Sequence, residues 1–260
     1  MIKRIKYFSV CLSILLAACS GQPVNPTVYS YQYNEALAYP VKHPKAIIAP
    51  INYIKPSRHF LSKYSDDVDA QLAEYLQEHG YKLRSTRSFN RQWKKLQRDY
   101  GDLIDENTGK YNKNFSSALE VTIDKVFASD PKLQYIIFTD LILSPVNYGD
   151  SLTRTVQFHG VERKVKVQGI GNGVNENFNW NKKLDASSLS IHVINRNRQL
   201  VLHNIGGIQV TQALELQNNT GKFKRRKDLL RNTKEIQEAI RLSLHPLIKM
   251  KKYPIPAEGK

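Results

Sequence analysis

Outside its first twenty residues the chain is most hydrophobic over residues 133–143, where Tyr135-Ile136-Ile137-Phe138 runs without a polar break. A strand that shows apolar side chains on both faces needs cover on both, so it belongs at the centre of a sheet with a layer above and a layer below. Asp140 interrupts the run. It is either a candidate functional carboxylate at a strand end or a side chain held by nearby backbone donors. The 260 residues, 41% of them apolar, suffice for one large domain with its own core. Gly and Pro number 13 and 11, and Cys11 and Cys19 are the only cysteines. Those counts exclude a collagen-like chain, a disulfide scaffold and a thiolate zinc site.

The neighbouring segments predict what covers this strand. Lys45-Ala46-Ile47-Ile48-Ala49-Pro50-Ile51 reads as a short buried strand. Ser65 then caps a predicted helix, with Asp66 and Asp67 on the positive end of the dipole, Val68, Leu72, Tyr75 and Leu76 on one face, and Gly80 closing it. A strand over residues 81–86 completes a βαβ unit with two parallel strands. Phe89, Trp93, Leu96 and Tyr100 mark a second helix opening at Ser88, its aromatics in the core and Arg91, Lys94, Lys95 and Arg98 solvated on the other face; the alternative is a basic helix whose aromatics and cations grip an acidic polymer. Phe115, Leu119, Ile123, Val126 and Phe127 mark a third. Between the two, Asp105-Glu106-Asn107-Thr108-Gly109 lacks the ligand order of a calcium loop and reads as a turn.

Residues 153–168 alternate in two phases, and the slip across Gly160 predicts a bulge or bend. Residues 190–211 read as a hairpin turning at Arg196 and Asn197, with Val193 facing Leu200, Ile191 facing Leu202, His192 opposite Val201 and His203 opposite Ser190. On that register the two histidines are diagonal, with no third ligand, and are ordinary surface or interface residues. Leu229, Leu230, Ile236, Ile240, Leu244 and Ile248 mark a C-terminal helix. The fold class expected for residues 45–252 is therefore mixed α/β: a mixed sheet with flanking helices, a βαβ start, a late antiparallel hairpin and a final helix, followed by a tail over 253–260.

No metalloprotease HExxH, nucleophile elbow, P-loop or paired-carboxylate motif is present, so no catalytic residue, metal or cofactor is assigned. Two segments look available to partners. Residues 169–188 hold three glycines, five asparagines and the apolar Phe178 and Trp180, which reads as a functional loop or, alternatively, a disordered hairpin tip. Lys222, Lys224, Arg225, Arg226 and Lys227 form the densest charge run, either an anion-binding patch or a solvated loop.

Lys3, Arg4 and Lys6 precede a mostly apolar stretch over residues 7–18, of signal-peptide length and too short to span a bilayer. At its end Leu16-Ala17-Ala18-Cys19 resembles the lipobox of bacterial lipoproteins. That resemblance implies a signal peptide over 1–18, acyl chains on Cys19, and, with Ser20 rather than Asp next, an outer-membrane destination on the periplasmic side. Two or more acyl chains hold a protein firmly. Without the three leader cations, 36 Lys and Arg face 23 Asp and Glu, a net +13. Pro23, Pro26, Pro40 and Pro44 make residues 19–44 a flexible tether of roughly 25 to 30 Å root-mean-square reach. Tyr29, Tyr31, Tyr33 and Tyr39 within it serve either as a strap on the domain or partner, or as exposed residues.

The order of elements over residues 45–248 resembles the periplasmic domain shared by the CsgG-type curli secretion lipoprotein, the penicillin-binding-protein activator LpoB and the N-terminal domain of TolB. This resemblance implies assembly or regulation rather than catalysis, although the chain shows no membrane-inserting hairpins of the curli-pore type. The expectation is an outer-membrane lipoprotein that scaffolds or regulates an envelope complex through Phe178, Trp180 and the basic run. A binding module for an anionic polymer (peptidoglycan, lipopolysaccharide or polysaccharide) is the alternative, and an envelope hydrolase with an unrecognised site is a third. Nucleic acid is not an expected partner, and self-association is left open.

Overall fold

The computed structural model describes residues 31–38, 42–49, 59–101, 103, 110–148, 155–171, 173–175, 177–180, 182–218 and 220–250. In chain order its strands are β1 (Gln32–Tyr33), β2 (Lys45–Ala49), β3 (Lys82–Arg84), β4 (Tyr135–Asn147), β5 (Thr155–Phe158), β6 (Val161–Lys164), β7 (Val167–Ile170), β8 (Lys183–Asn195), β9 (Leu200–Val210), β10 (Gln212–Gln217) and β11 (Thr220–Arg225). The helices are α1 (His59–Ser62), α2 (Ser65–Glu78), α3 (Arg87–Tyr100), α4 (Phe115–Ala128) and α5 (Thr233–Leu244). This is a mixed α/β fold. The main sheet runs β1-β9-β8-β4-β2-β3, with β2 parallel to both β3 and β4 and the remaining pairs antiparallel.

The apolar run thus lies inside the sheet as β4, and its alternate side chains feed two cores. Tyr135, Ile137 and Leu141 join Ala46, Ile48, Ile191 and Val193 beneath α2 and α5. Ile136 and Phe138 join Ile47, Ala49 and Ile194 beneath α3 and α4. Phe89 of α3 meets Phe138 edge-on with ring centroids 5.9 Å apart, and Trp93 meets Phe115 of α4 at 5.5 Å. Such edge contacts suit the ring quadrupoles and fix the helices laterally. On the other side α5 lies so close to β9 that a Cβ on Gly206 would stand 2.1 Å from the Ala239 carbonyl oxygen. Only glycine permits that approach. Asn232 caps α5 by accepting from the Lys234 amide, and Gly80, at φ +84°, ends α2 as expected. Ser65 does not cap α2; it is its first residue, after Tyr64.

Several local expectations are corrected. The β8–β9 hairpin is longer than expected and turns later: the Asn195 side chain accepts from the amides of Asn197 and Gln199, and Arg198 takes φ 61°. Together with a register shift between Val193 and Ile194, this sets Val193 opposite Leu202, Ile191 opposite Asn204, and His192 directly opposite His203. Gly160 marks the expected bend rather than a bulge. With His159 at φ 41° and Gly160 at φ 82°, it makes the tight turn between β5 and β6. Residues 183–188 belong to β8, and the basic run from 222 to 225 is strand rather than loop.

The N-terminal stretch is held as a strap. Gln32 and Tyr33 pair with His203 and Leu202 of β9, and Tyr33, Leu37 and Ala38 pack on the core under α2 and α5. Over residues 31–38, then, the chain is not a free spacer. Residues 1–18, Cys19, Tyr29, Tyr39, the Asp105–Gly109 turn and the 253–260 tail lie outside the described residues.

Candidate functional site

Beyond the carboxyl end of the main sheet a smaller one, ordered β11-β10-β7, gathers the segments that looked available to partners. β10 pairs antiparallel with β11 and parallel with β7, so the loop after β7 is brought beside the basic strand. Gly169 lets β7 come this close, because at φ +97° a Cβ there would sit 2.3 Å from the Leu216 carbonyl oxygen. Gly221 of β11 leaves the space into which the loop packs: a Cβ would lie 2.5 Å from Val174 and 3.2 Å from the Phe178 ring.

Phe178 and Trp180 are therefore half-buried rather than free. Phe178 contacts Trp180 (4.7 Å between centroids) and Phe223 of β11 (5.6 Å), while Tyr148 contacts Trp180 (5.4 Å) and Phe223 (5.9 Å). The four rings close over an apolar cluster that includes Val146, Leu184, Ala186 and Val210. Tyr148 and Phe223 are the members that sequence spacing missed, since they lie 30 and 45 residues from Phe178 (148 and 223 against 178).

Charge on this sheet is partly spent internally. Residues 161–183 and 212–228 hold ten Lys and Arg against four Asp and Glu, yet the run itself is mostly engaged. Lys224 pairs with Glu215. The Arg226 guanidinium, with only 10% of its side chain exposed, donates to the Val210 carbonyl at 3.0 Å and to Asp228 at 3.0 and 3.1 Å, and Lys166 donates to Asp228 at 2.5 Å. Arg226 first, and then Lys166, hold the Asp228 carboxyl well below the usual carboxylate range. Arg225 stacks its guanidinium 3.9 Å from the Phe60 ring centroid. Lys222 and Lys227 stay exposed, with no ion pair among the described residues. β11 is an edge strand of the small sheet, and Lys222 and Lys224 alternate with Phe223 along it.

A second polar group, on the main sheet, was missed because the hairpin register was misread. His192 and His203 face each other and stack at 3.9 Å between centroids. One row further toward the carboxyl end, Asp140 is opposite Ser190, and one row beyond that Ser188 is bonded to His159 with Nδ1 and Oγ 2.8 Å apart. Burial raises the Asp140 carboxyl to about 7. It lowers His192 to about 3, with His203 adding to the effect, and it lowers His203 and His159 as well. The strip is thus a set of groups whose charged forms desolvation disfavours. No group of three or more His, Cys, Asp or Glu placed to hold a metal ion occurs among the described residues, and no helix there is long and apolar enough to cross a membrane.

Comparison with family models, curated proteins and solved structures gives no match.

Proposed function

We propose that this chain is an outer-membrane lipoprotein, acylated at Cys19, whose periplasmic α/β domain serves a non-enzymatic assembly or regulatory role in an envelope complex. The observation that carries the reading is the joining, in one small sheet, of the Phe178–Trp180 loop with a basic edge strand. An edge strand with alternating Lys222, Phe223 and Lys224 suits strand addition by an extended protein segment, with main-chain hydrogen bonds for affinity and acidic side chains opposite the lysines for register. The aromatic cover beside it supplies rigid contact area. The leader supports the anchor: a basic head, an apolar stretch and the lipobox-like tetrapeptide stand in the required order.

Two measurements in living cells test it. Cys19→Ser should abolish fatty-acid labelling and release the chain from the membrane fraction; a variant that is still labelled and still sediments ends the anchor reading. Crosslinking with Phe178→Ala and Trp180→Ala combined should recover less of the partner, and unchanged recovery would exclude this sheet as the contact.

A further inference from the structure

We propose that the exposed face of α3 is an electrostatic docking surface for a phosphate-bearing lipid membrane, with Arg87, Arg91, Lys94, Lys95 and Arg98 set against the headgroups. At about 100° per residue these five positions fall within an arc of about 100°, spread over about 17 Å of helix. Phe89, Trp93 and Leu96 lie on the opposite side, buried in the core. All five cations are exposed, and none makes an ion pair among the described residues. Asp99 is the one acidic residue of the helix.

The arrangement runs against the helix's own stability. Arg87 and Arg91, Arg91 and Lys95, and Lys94 and Arg98 are like charges four residues apart, which repel on a helix surface. Arg87 also stands in the first turn, where the dipole favours an acid, and no acidic residue is there. In α2 the same positions hold Asp66 and Asp67. A local rule broken on a solvent face, with no ion-pair partner among the described residues, points to a partner outside the fold.

The strap says why a lipid surface is the occupant. This step rests on the acylated Cys19 of the proposed function. Because β1 begins at Gln32, only eleven residues separate Cys19 from Tyr31, a span of at most about 40 Å. Tyr31 enters β1 from the end of the sheet at which β9 finishes, since Gln32 is opposite His203 and Tyr33 opposite Leu202. That is also the end at which β3 hands over to α3, because β3, β2, β4 and β9 run the same way. The tether and the basic helix therefore leave the same end of the sheet, β1 at one edge and β3 at the other, and a link of at most about 40 Å keeps the helix at high effective concentration near the bilayer.

The test uses the chain begun at Ser20, which holds every described element and lacks both leader and acyl site, so its outcome does not depend on lipidation. The probes are vesicles of phosphatidylcholine with and without phosphatidylglycerol, read by co-sedimentation. Binding should need the anionic lipid and fall steeply as salt shortens the screening length. With each surface cation worth roughly a factor of five near an anionic membrane, changing all five to Gln should weaken binding by about 10²-fold or more. Changing Lys222, Lys224 and Lys227 to Gln should weaken it less than about 10-fold. Circular dichroism checks that both variants are folded. Equal binding by the α3 variant, or equal binding to pure phosphatidylcholine, overturns the proposal. So does tighter binding of single-stranded DNA through the same five residues. A negative result here with intact Cys19 labelling in cells would leave the anchor standing and remove only the α3 surface.

Discussion

The two basic regions of this molecule reverse their ranking between chain and fold. Along the chain, Lys222 to Lys227 is the densest cluster, and the α3 cations are spread over residues 87 to 98. In space three of the first's five cations are engaged: Lys224 on Glu215, Arg226 on Asp228 and a backbone carbonyl, Arg225 on Phe60. A strand alternates its side chains between two faces and lays them beside its neighbours, so cations in a row meet different environments. A helix does the reverse and collects residues three, four, seven and eight apart onto one side. Charge density read along a sequence is therefore a poor guide to charge presented to a partner.

The regions also differ in how firmly they are held, and this gives the largest predicted effect. Trp93, under α3, is 7% exposed and packed on Phe115, so Trp93→Ala should cost about 3–5 kcal/mol. Trp180, half-buried over the small sheet, should cost only about 1–2 kcal/mol as Trp180→Ala. Urea midpoints compared at equal m-values decide between them. A larger loss at Trp180 would make the aromatic loop, not the helix, the rigid platform.

This contrast was only half legible in the sequence. The 3.6-residue spacing of Phe89, Trp93, Leu96 and Tyr100 is a local signal, and it placed α3 on the core with its cations outward, just as the apolar run placed β4 inside the sheet. The small sheet depends on a parallel pairing of β7 with β10 across 47 residues of chain (167 against 214), and no local pattern encodes that. The histidine pair was lost to a different cause. Asn195 closes the β8–β9 turn through its side chain, which moves the turn and, with the shift at Val193, slides every cross-strand partner. The Asn195-x-Asn197 start of the turn was the available clue.

The α3 surface packs on the main sheet, and β10 of the small sheet follows directly after its strand β9, so the main sheet's own pH dependence must be separated from that of any binding. Burial raises Asp140 from 3.8 to about 7 and lowers His192 from 6.5 to about 3. A carboxyl raised by folding supports the fold below its unfolded pKa and withdraws that support as pH climbs through about 7. An imidazole lowered by folding supports the fold above 6.5 and withdraws it as pH falls toward 3. The two slopes oppose each other between about pH 4 and 6.5. Asp140→Asn should expose the histidine slope, with stability rising across that window. The advantage of the variant over the parent should grow from pH 4 to pH 8 by on the order of 2–4 kcal/mol. An advantage that stays constant in urea titrations at pH 4, 6 and 8 would show that Asp140 does not titrate this way.

A smaller effect separates the cations themselves. Arg226→Ala removes charge-assisted hydrogen bonds to Asp228 and leaves the Val210 carbonyl without its donor, so about 2 kcal/mol of stability should go. Arg91→Ala should stay within about 0.5 kcal/mol of the parent. Thermal or urea unfolding of the two single variants is enough to measure both. Equal losses would mean that the α3 face has partners inside the fold after all.

The smallest effect carries the opposite sign. Replacing Arg87, Arg91, Lys94, Lys95 and Arg98 by Gln keeps helix propensity nearly unchanged and removes three like-charge pairs four residues apart, each worth roughly 0.2–0.5 kcal/mol. The variant should therefore be more stable than the parent by about 0.5–1 kcal/mol at low salt, with the difference shrinking as the Debye length falls toward 3 Å near 1 M salt. Greater stability together with lost vesicle binding would mean that the stripe is kept at a cost to the fold, as a surface turned toward an anionic partner. If the substitutions destabilise the protein instead, the cations are holding the helix in place, and the contrast between the two basic regions collapses.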